Sequence, residues 1–276
     1  MRNFLESARS GSHPGCQNCP WNPKIVGKIA FGLSCLEHGI DWSESRRAVS
    51  IQVVQDPAGT TPDKTGRLCF VHNSQNPTDK TAQHAYDLWR ATVSYNNVKN
   101  SDPYLKTHYW TNAILHGADK KNTELRKKVN QARRCCEVLL NEQVERLSPK
   151  VIIANGEYAA NSLYSLGYTT KPWSQLKEGL GNHVYSHLYK LPTGEVITVF
   201  CTYHTAITAV NTHVARLFTP KMNELIHEKL APVKQYAPIK RFLDKYPPYD
   251  GTGKGMMVLL FHWLEIGEAI RSASGK

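Results

Sequence analysis

The sequence predicts an α/β fold, a three-layer α/β/α sandwich whose central, mainly parallel sheet has four strands. Short apolar runs rich in β-branched and aromatic residues predict the strands, at 48–54, 108–115, 150–155 and 196–201. Segments with apolar residues at helical spacing lie between and after them, at 81–95, 124–147, 157–166 and 211–230. Strands that alternate with helices are typical of a parallel sheet covered on both faces.

The composition predicts one large domain with an appendage. The chain has 276 residues, of which 41% are hydrophobic, which is enough to bury a substantial core. We assign residues 1–230 to a main domain and 231–276, a Pro-rich lead followed by the amphipathic stretch MMVLLFHWLEIGEAI, to a C-terminal extension docked on it. No apolar run approaches the ~20 residues that span a bilayer. The N-terminus has no apolar signal core, so we expect a cytoplasmic monomer without membrane contact.

The charge favours a polyanionic partner. The formal net charge is +11, and the basic residues are spread along the chain rather than collected in one tail. A distributed basic excess suits a surface that meets nucleic acid. DNA is therefore the first partner to consider, although charge alone is a weak indication.

The cysteines favour a metal or cluster site over a disulfide framework. The chain has seven, and Cys16 and Cys19 form its only CxxC, in HPGCQNCPWNP. Cys135 and Cys136 are adjacent in NQARRCCEVLL. In a cytosolic protein, such spacing is more typical of metal binding than of disulfides.

Polar residues follow three of the predicted strands where each one ends. The first strand ends at Gln55-Asp56, the second runs through Asn112 toward His116, and the fourth runs into Tyr203-His204. Ligands of open parallel sheets bind beyond the carboxyl ends of the strands. We therefore expect an acid, an amide and an imidazole to meet at one edge of the sheet.

These segments resemble the uracil-DNA glycosylase superfamily. QDPAG with GRLCFV resembles the first motif of the classical enzymes, WTNAIL their LLNAVL segment, and YHTAI the His-containing motif that closes their active site. The iron–sulfur branch is similar in its N-terminal CxxC and in CEVLLNEQVERLSPKVIIANGEYAANSL, which matches a cysteine–helix–PKVIVALG–helix pattern. The motifs run in family order from about Cys16 to His213.

The resemblance implies a monofunctional DNA glycosylase that flips out a pyrimidine and hydrolyses its N-glycosidic bond. Asp56 would stabilise the positive sugar and orient the attacking water, while His204 would donate to the base carbonyl as negative charge develops there. Phe70 would stack on the flipped base, Asn112 would hydrogen-bond its Watson–Crick edge, and Gln55 would form part of the pocket wall.

The resemblance also implies a metal centre, with one departure from the family. The iron–sulfur branch uses four cysteines, and Cys16, Cys19 and Cys136 fall on three of these positions. The remaining position is His116, so either His116 completes the site, or Cys135 substitutes for it, or the cluster is damaged or replaced by zinc. A structural [4Fe–4S] cluster is the favoured occupant, and zinc is the alternative because three cysteines and one histidine also suit it.

The pocket sequence bears on which base is excised. Classical uracil enzymes have a tyrosine after QDP that excludes a C5 substituent, whereas this chain has Ala58. An open pocket favours a C5-modified pyrimidine, such as glucosylated hydroxymethylcytosine of phage DNA, and hence antiviral defence. One alternative is a uracil-DNA glycosylase of base-excision repair, since the iron–sulfur branch also lacks the tyrosine. Another is a non-catalytic DNA-binding iron–sulfur protein.

One further assignment concerns the DNA stack. Ile207 or Val210, which follow His204, would replace the leucine that the family inserts where the base leaves.

Overall fold

The computed structural model describes residues 2–26, 36–37, 40–41, 47–55, 80–94, 107–117 and 122–275. Within them, seven strands form a small hairpin and one larger sheet. The hairpin pairs β1 and β2, and the remaining strands form the larger sheet. Their bounds are β1 Leu36–Glu37, β2 Ile40–Asp41, β3 Ser50–Val54, β4 His108–Asn112, β5 Val151–Asn155, β6 Tyr185–Lys190 and β7 Val196–Thr202.

The larger sheet confirms the predicted α/β class and adds one strand to it. Its order is β4-β3-β5-β7-β6; the first four strands are parallel, and β6 pairs antiparallel with β7 at the edge. The four predicted strands are present, but the expected count of four was wrong. The sequence of β6, YSHLYK, alternates between half-buried and exposed positions, so it has no continuous apolar run.

Helices cover both faces of this sheet, as expected. Their bounds are α1 Arg2–Arg9, α2 Pro23–Val26, α3 Lys80–Thr92, α4 Thr123–Lys127, α5 Val129–Leu147, α6 Glu157–Ser165, α7 Trp173–Leu176, α8 Ile207–Ala209, α9 Pro220–Leu230, α10 Ala237–Lys245 and α11 Gly251–Ala273. Two predicted helices are interrupted. The helix predicted at 124–147 breaks at Lys128. That predicted at 211–230 is divided by a π turn and a 3₁₀ turn, before Thr219 caps α9 by accepting from the Met222 N–H.

Two apolar clusters hold the layers together. One joins the sheet to α1, α5 and α6 and includes the N-terminal Trp21, whose indole N–H donates to the Leu125 carbonyl oxygen at 2.9 Å. The other joins the opposite face to α3, α9, α10 and α11. The sheet is therefore buried on both faces, which explains the near-continuous apolar sequences of its parallel strands.

The C-terminal extension contributes to the core. Its helix α11 contacts α3, the 210–217 turns, β5 and β7, and residues from Met256 to Leu260 are all buried. At Gly267, α11 lies against the carbonyl oxygen of Thr92, to which Arg271 also donates. Although α11 is 23 residues long, no helix in the described ranges combines the length and hydropathy needed to cross a membrane.

Candidate active site and thiol cluster

Three of the predicted site residues meet at the carboxyl edge of the sheet. Gln55 directly follows β3, Asn112 ends β4 opposite Val54, and His204 lies two residues beyond β7. The Ile114 N–H donates to the Gln55 carbonyl oxygen at 3.0 Å, which ties together the ends of β3 and β4. Asn112 is 1% exposed, so its amide lies inside the protein rather than in solvent.

Gly156 allows Gln55 and His204 to approach each other. It follows β5 with φ of 88°, and its N–H donates to the Thr202 carbonyl oxygen at 2.8 Å. A Cβ atom there would lie 2.8 Å from Gln55 Nε2 and 3.0 Å from His204 Cβ. Both the backbone conformation and the space therefore favour glycine. Sequence reasoning missed Gly156, although its place between a buried strand and a helix was a usable signal.

The environment of His204 favours a neutral ring. Burial lowers its pKa to about 4, even though the residue as a whole keeps some solvent exposure. The Ala206 N–H donates to Nδ1 at 2.9 Å, so the proton of the neutral ring is on Nε2. At neutral pH, His204 is thus an uncharged hydrogen-bond donor at the edge where a base carbonyl is expected.

A second histidine, His84 of α3, holds the segment that follows His204. Its Nδ1 donates to the Thr205 carbonyl oxygen at 3.0 Å, and the Thr205 hydroxyl donates to the Thr81 carbonyl oxygen at 3.4 Å. Burial lowers the pKa of His84, which favours the neutral ring here too. The contact joins positions 121 residues apart, and nothing in the sequence pattern indicated it.

Of the other residues predicted to contact the base or the DNA, the structure describes only the side chain of Val210. Asp56, Ala58 and Phe70 lie outside the described residues, and the side chain of Ile207 at the start of α8 is also outside them. Val210 is fully buried, with its carbonyl against Gly255 of α11. Its assignment as a DNA-inserting residue is therefore wrong for this structure, because its side chain belongs to the core.

Four cysteine thiols converge where the N-terminal segment meets α5. Hydrogen bonding from Cys136, together with that from Cys135, lowers the pKa of Cys19 to about 7 against the opposing effect of burial. Burial, with nearby Cys19 and Cys135, raises the pKa of Cys16 to about 11. The hydrogen bond to Cys19, together with burial, raises the pKa of Cys136. The described cysteines are all reduced.

His116 makes a different contact from the thiols. Burial lowers its pKa to about 4, and the backbone of Arg9 and Ala8 at the end of α1 partly opposes this effect. Of the two candidates for a fourth ligand, Cys135 is the one that interacts directly with Cys19. The donor chemistry fits a [4Fe–4S] cluster or zinc. However, no three His, Cys, Asp or Glu side chains in the described part are arranged to hold a metal ion, so binding would require the thiols to rearrange.

Comparison with known proteins identifies the family to which the chain belongs. A family model, the uracil DNA glycosylase superfamily, matches residues 52–230. No curated protein shows a significant match to the chain. The matched region begins within β3 and ends with α9, and it contains Gln55, Asn112, Gly156 and His204. Because the match spans more than half of the 276 residues, the chain belongs to the uracil DNA glycosylase superfamily.

Proposed function

We propose that this member of a superfamily of DNA glycosylases excises a C5-modified pyrimidine from DNA and leaves an abasic site. The observation that carries the proposal is the neutral His204, with its proton on Nε2, next to Gln55 and on the same sheet edge as Asn112. Base release requires a hydrogen-bond donor, an amide and a carboxylate. His204 and Asn112 are the donor and the amide, and the end of β3 leads into Asp56, the proposed carboxylate.

The reaction replaces the bond between the base and C1′ of deoxyribose with a bond from C1′ to a water oxygen. As the C–N bond breaks, the electron pair leaves with the base, and the sugar becomes positively charged. The His204 Nε2–H stabilises the negative charge on the base carbonyl by hydrogen bonding, without having to lose a positive charge of its own. Asp56 stabilises the cationic sugar and accepts the proton of the attacking water.

The preferred substrate follows from Ala58. Because a methyl group is much smaller than the tyrosine ring of the classical enzymes, we infer that glucosylated hydroxymethylcytosine of phage DNA is accepted and that the enzyme acts in antiviral defence. Asn112 is compatible with cytosine, since its amide can face either the cytosine or the uracil edge. Uracil repair is the alternative that the same site chemistry allows.

The test is base release from matched oligonucleotides that carry uracil, thymine, hydroxymethylcytosine or its glucosylated form. We expect wild-type protein to create abasic sites mainly at the position of the bulky cytosine derivative. Asp56→Ala and His204→Gln should reduce release by about 100-fold or more, whereas Lys190→Gln, an exposed substitution on β6, should not. Release of uracil alone would make the protein a repair enzyme. DNA binding without any base release would favour a non-catalytic role.

We further infer that Cys16, Cys19, Cys135 and Cys136 hold a [4Fe–4S] cluster, with zinc as the alternative occupant. Such a centre would be structural and would tether the N-terminal segment to α5. Metal and sulfide analysis of anaerobically purified protein tests this. Cys135→Ala should lose the metal, whereas His116→Ala should retain it; the reverse result would assign the fourth ligand to His116. Zinc without sulfide would identify the alternative.

A further inference from the structure

A cleft that extends beyond the superfamily match lies beside the candidate active site. It has a volume of about 440 Å³ and is formed by the first half of α3 and by the segment 245–253, which joins α10 to α11. Lys80 and Gln83 line the α3 side, and Tyr249 and Thr252 line the other. The family match ends at residue 230, so one wall of the cleft comes entirely from the C-terminal extension.

The cleft begins very close to His204. His84 lines it and hydrogen-bonds to the carbonyl of Thr205, the residue after His204. Thr252 on the opposite wall donates to Asn211 Oδ1 at 2.7 Å, and Asn211 lies in the turns that follow α8. The two walls of the cleft are thus hydrogen-bonded to the residues just before and just after α8. A DNA strand leaving the active site across this part of the edge would enter the cleft.

The exposed side chains in the cleft suit a nucleotide. Tyr249 is 88% exposed, the highest exposure among the large hydrophobic side chains of the described residues. An isolated exposed tyrosine needs no explanation. Here it lines the same cavity as the Lys80 ammonium, which is also exposed. Aromatic faces that stack bases and cations that meet phosphates are the two components of grooves that bind single strands.

The charge around the cleft is positive. A second hollow of about 170 Å³ shares Lys245 and adds Arg90 and Arg241, so cations follow the seam between α3 and α10. Two carboxylates lie nearby, and both have partners. Asp87 accepts from Lys245 at 2.5 Å and from the Tyr246 hydroxyl at 2.6 Å. Asp250 caps α11 by accepting from the Gly253 N–H at 2.6 Å.

We propose that this cleft binds the DNA strand next to the excised nucleotide, with Lys80 on a phosphate and Tyr249 stacked on a neighbouring base. The proposal rests on the proposed glycosylase function, since it places the flanking nucleotides of the same substrate. It assigns a DNA-binding role to the C-terminal extension. The contacts are to phosphate and to a base face, so they add affinity without adding sequence preference.

The experiment measures DNA binding and base release separately. Binding is followed by fluorescence anisotropy, over a series of salt concentrations, with a labelled duplex that contains a tetrahydrofuran abasic-site analogue. The full-length variants are Tyr249→Ala and Lys80→Gln. The matched controls are Tyr164→Ala, an exposed tyrosine on α6, and Lys190→Gln, an exposed lysine on β6. Base release is measured in single turnover with saturating protein.

We expect Tyr249→Ala to raise the Kd about five-fold or more, and Lys80→Gln to reduce the slope of log K against log salt by about one. Neither should change the single-turnover rate at saturation, and neither control should change the Kd. Equal Kd values for the cleft and control variants would overturn the proposal. So would a loss of rate at saturation with an unchanged Kd. Absence of base release by wild-type protein would instead refute the proposed function, while the binding data would still test the cleft.

Discussion

At the scale of single residues, Gly156 makes the candidate active site possible. Its positive φ and its contacts with Gln55 and His204 leave no room for a side chain. Gly167 provides a matched comparison, because it has φ of 80° but no atom within 4 Å of its would-be Cβ. The ψ of Gly156 is −178°, in a region that essentially only glycine adopts, so a substitution there adds backbone strain as well as these contacts.

We predict that Gly167→Ala destabilises the protein by about 1–2 kcal/mol, the cost of a positive φ, and that Gly156→Ala destabilises it by more, because its Cβ would also overlap Gln55 and His204. Only Gly156→Ala should also reduce base release, by up to about 100-fold, because it displaces two side chains of the site. Urea unfolding and single-turnover rates measure the two effects. Equal activity of the two variants would contradict the assigned place of Gly156 in the site.

His204 gives a second prediction at this scale, on pH dependence. With a pKa of about 4, it stays neutral from pH 8 down to about 5, so it should cause no change in rate over that range. A histidine with the ordinary pKa of about 6.5 would cause a change in rate near that value. The rate–pH profile of wild-type protein, compared with that of His204→Gln, checks this. A change near pH 6.5 that disappears in the variant would contradict a neutral His204.

Residue types and chain order were enough to predict Gln55, Asn112 and His204 at one edge, because the carboxyl ends of parallel strands lie at the same edge of a sheet. Contacts that depend on distant segments could not be predicted in this way. His84 hydrogen-bonds to the carbonyl of Thr205, which is 121 residues away in the sequence. Val210 was predicted to contact DNA, but it is buried because α11 packs against it. The roles of Asp56, Ala58 and Phe70 stay predictions.

At the scale of elements, the predictable strands are those buried on both faces. Their apolar runs mark them regardless of neighbours, and all four were found near their predicted bounds. The edge strand β6 has only one half-buried face, so its sequence lacks that signal. The break at Lys128 and the turns at 210–217 lie within apolar patterns that continue through them, so periodicity predicted single helices.

The close approach of α11 to the end of α3 gives a prediction on packing. Replacing glycine by alanine inside a helix usually stabilises it by about 0.5–1 kcal/mol. At Gly267 we expect the opposite, a loss of about 1–3 kcal/mol, because the added methyl would overlap the Thr92 carbonyl. Urea unfolding measures it, with the exposed neighbour Glu268→Ala as the control. A stabilised Gly267→Ala would show that the two helices are not in close contact.

At the scale of the whole molecule, the fold needs both layers of helices, because the sheet between them has an apolar surface on each face. The face toward α3 is closed by α11, whose buried residues join those of β5 and β7. We predict that a chain ending at Leu230 does not unfold cooperatively and exposes apolar surface. Circular dichroism and dye binding test this against a chain that ends at Ala273. A cooperative transition in the shorter chain would show that 1–230 folds alone.

Global stability should also fall in mild acid, in part through His262. Its Nε2 donates to the Leu180 carbonyl oxygen at 2.8 Å, and its Nδ1 accepts from the Thr202 hydroxyl at 2.9 Å. Burial lowers its pKa to about 4, so between about pH 6.5 and pH 4 only the unfolded chain binds the proton. As the pH falls through this range, the contribution of His262 to the free energy of unfolding should therefore decrease by about 1.4 kcal/mol per pH unit, and it should be constant above the range. His116 and His204, whose pKa values are also lowered to about 4, should add to this decrease.

Unfolding in urea at several pH values measures this slope. His262→Gln should lower stability at every pH but make the slope shallower by about one proton. The exposed His227→Gln on α9 is the matched control for the substitution. An unchanged slope in His262→Gln would show that another group takes up the proton.

The position of α11 in the chain has a consequence for synthesis. Residues 251–273 emerge from the ribosome after every strand and helix that they cover. Until then, the nascent chain has its parallel strands but an open apolar face, lined by residues such as Ile153 and Phe200. Such exposed surface on an incomplete fold is prone to aggregation and is what chaperones bind. Production of this protein in the cell should therefore depend on how quickly translation passes from residue 230 to residue 273.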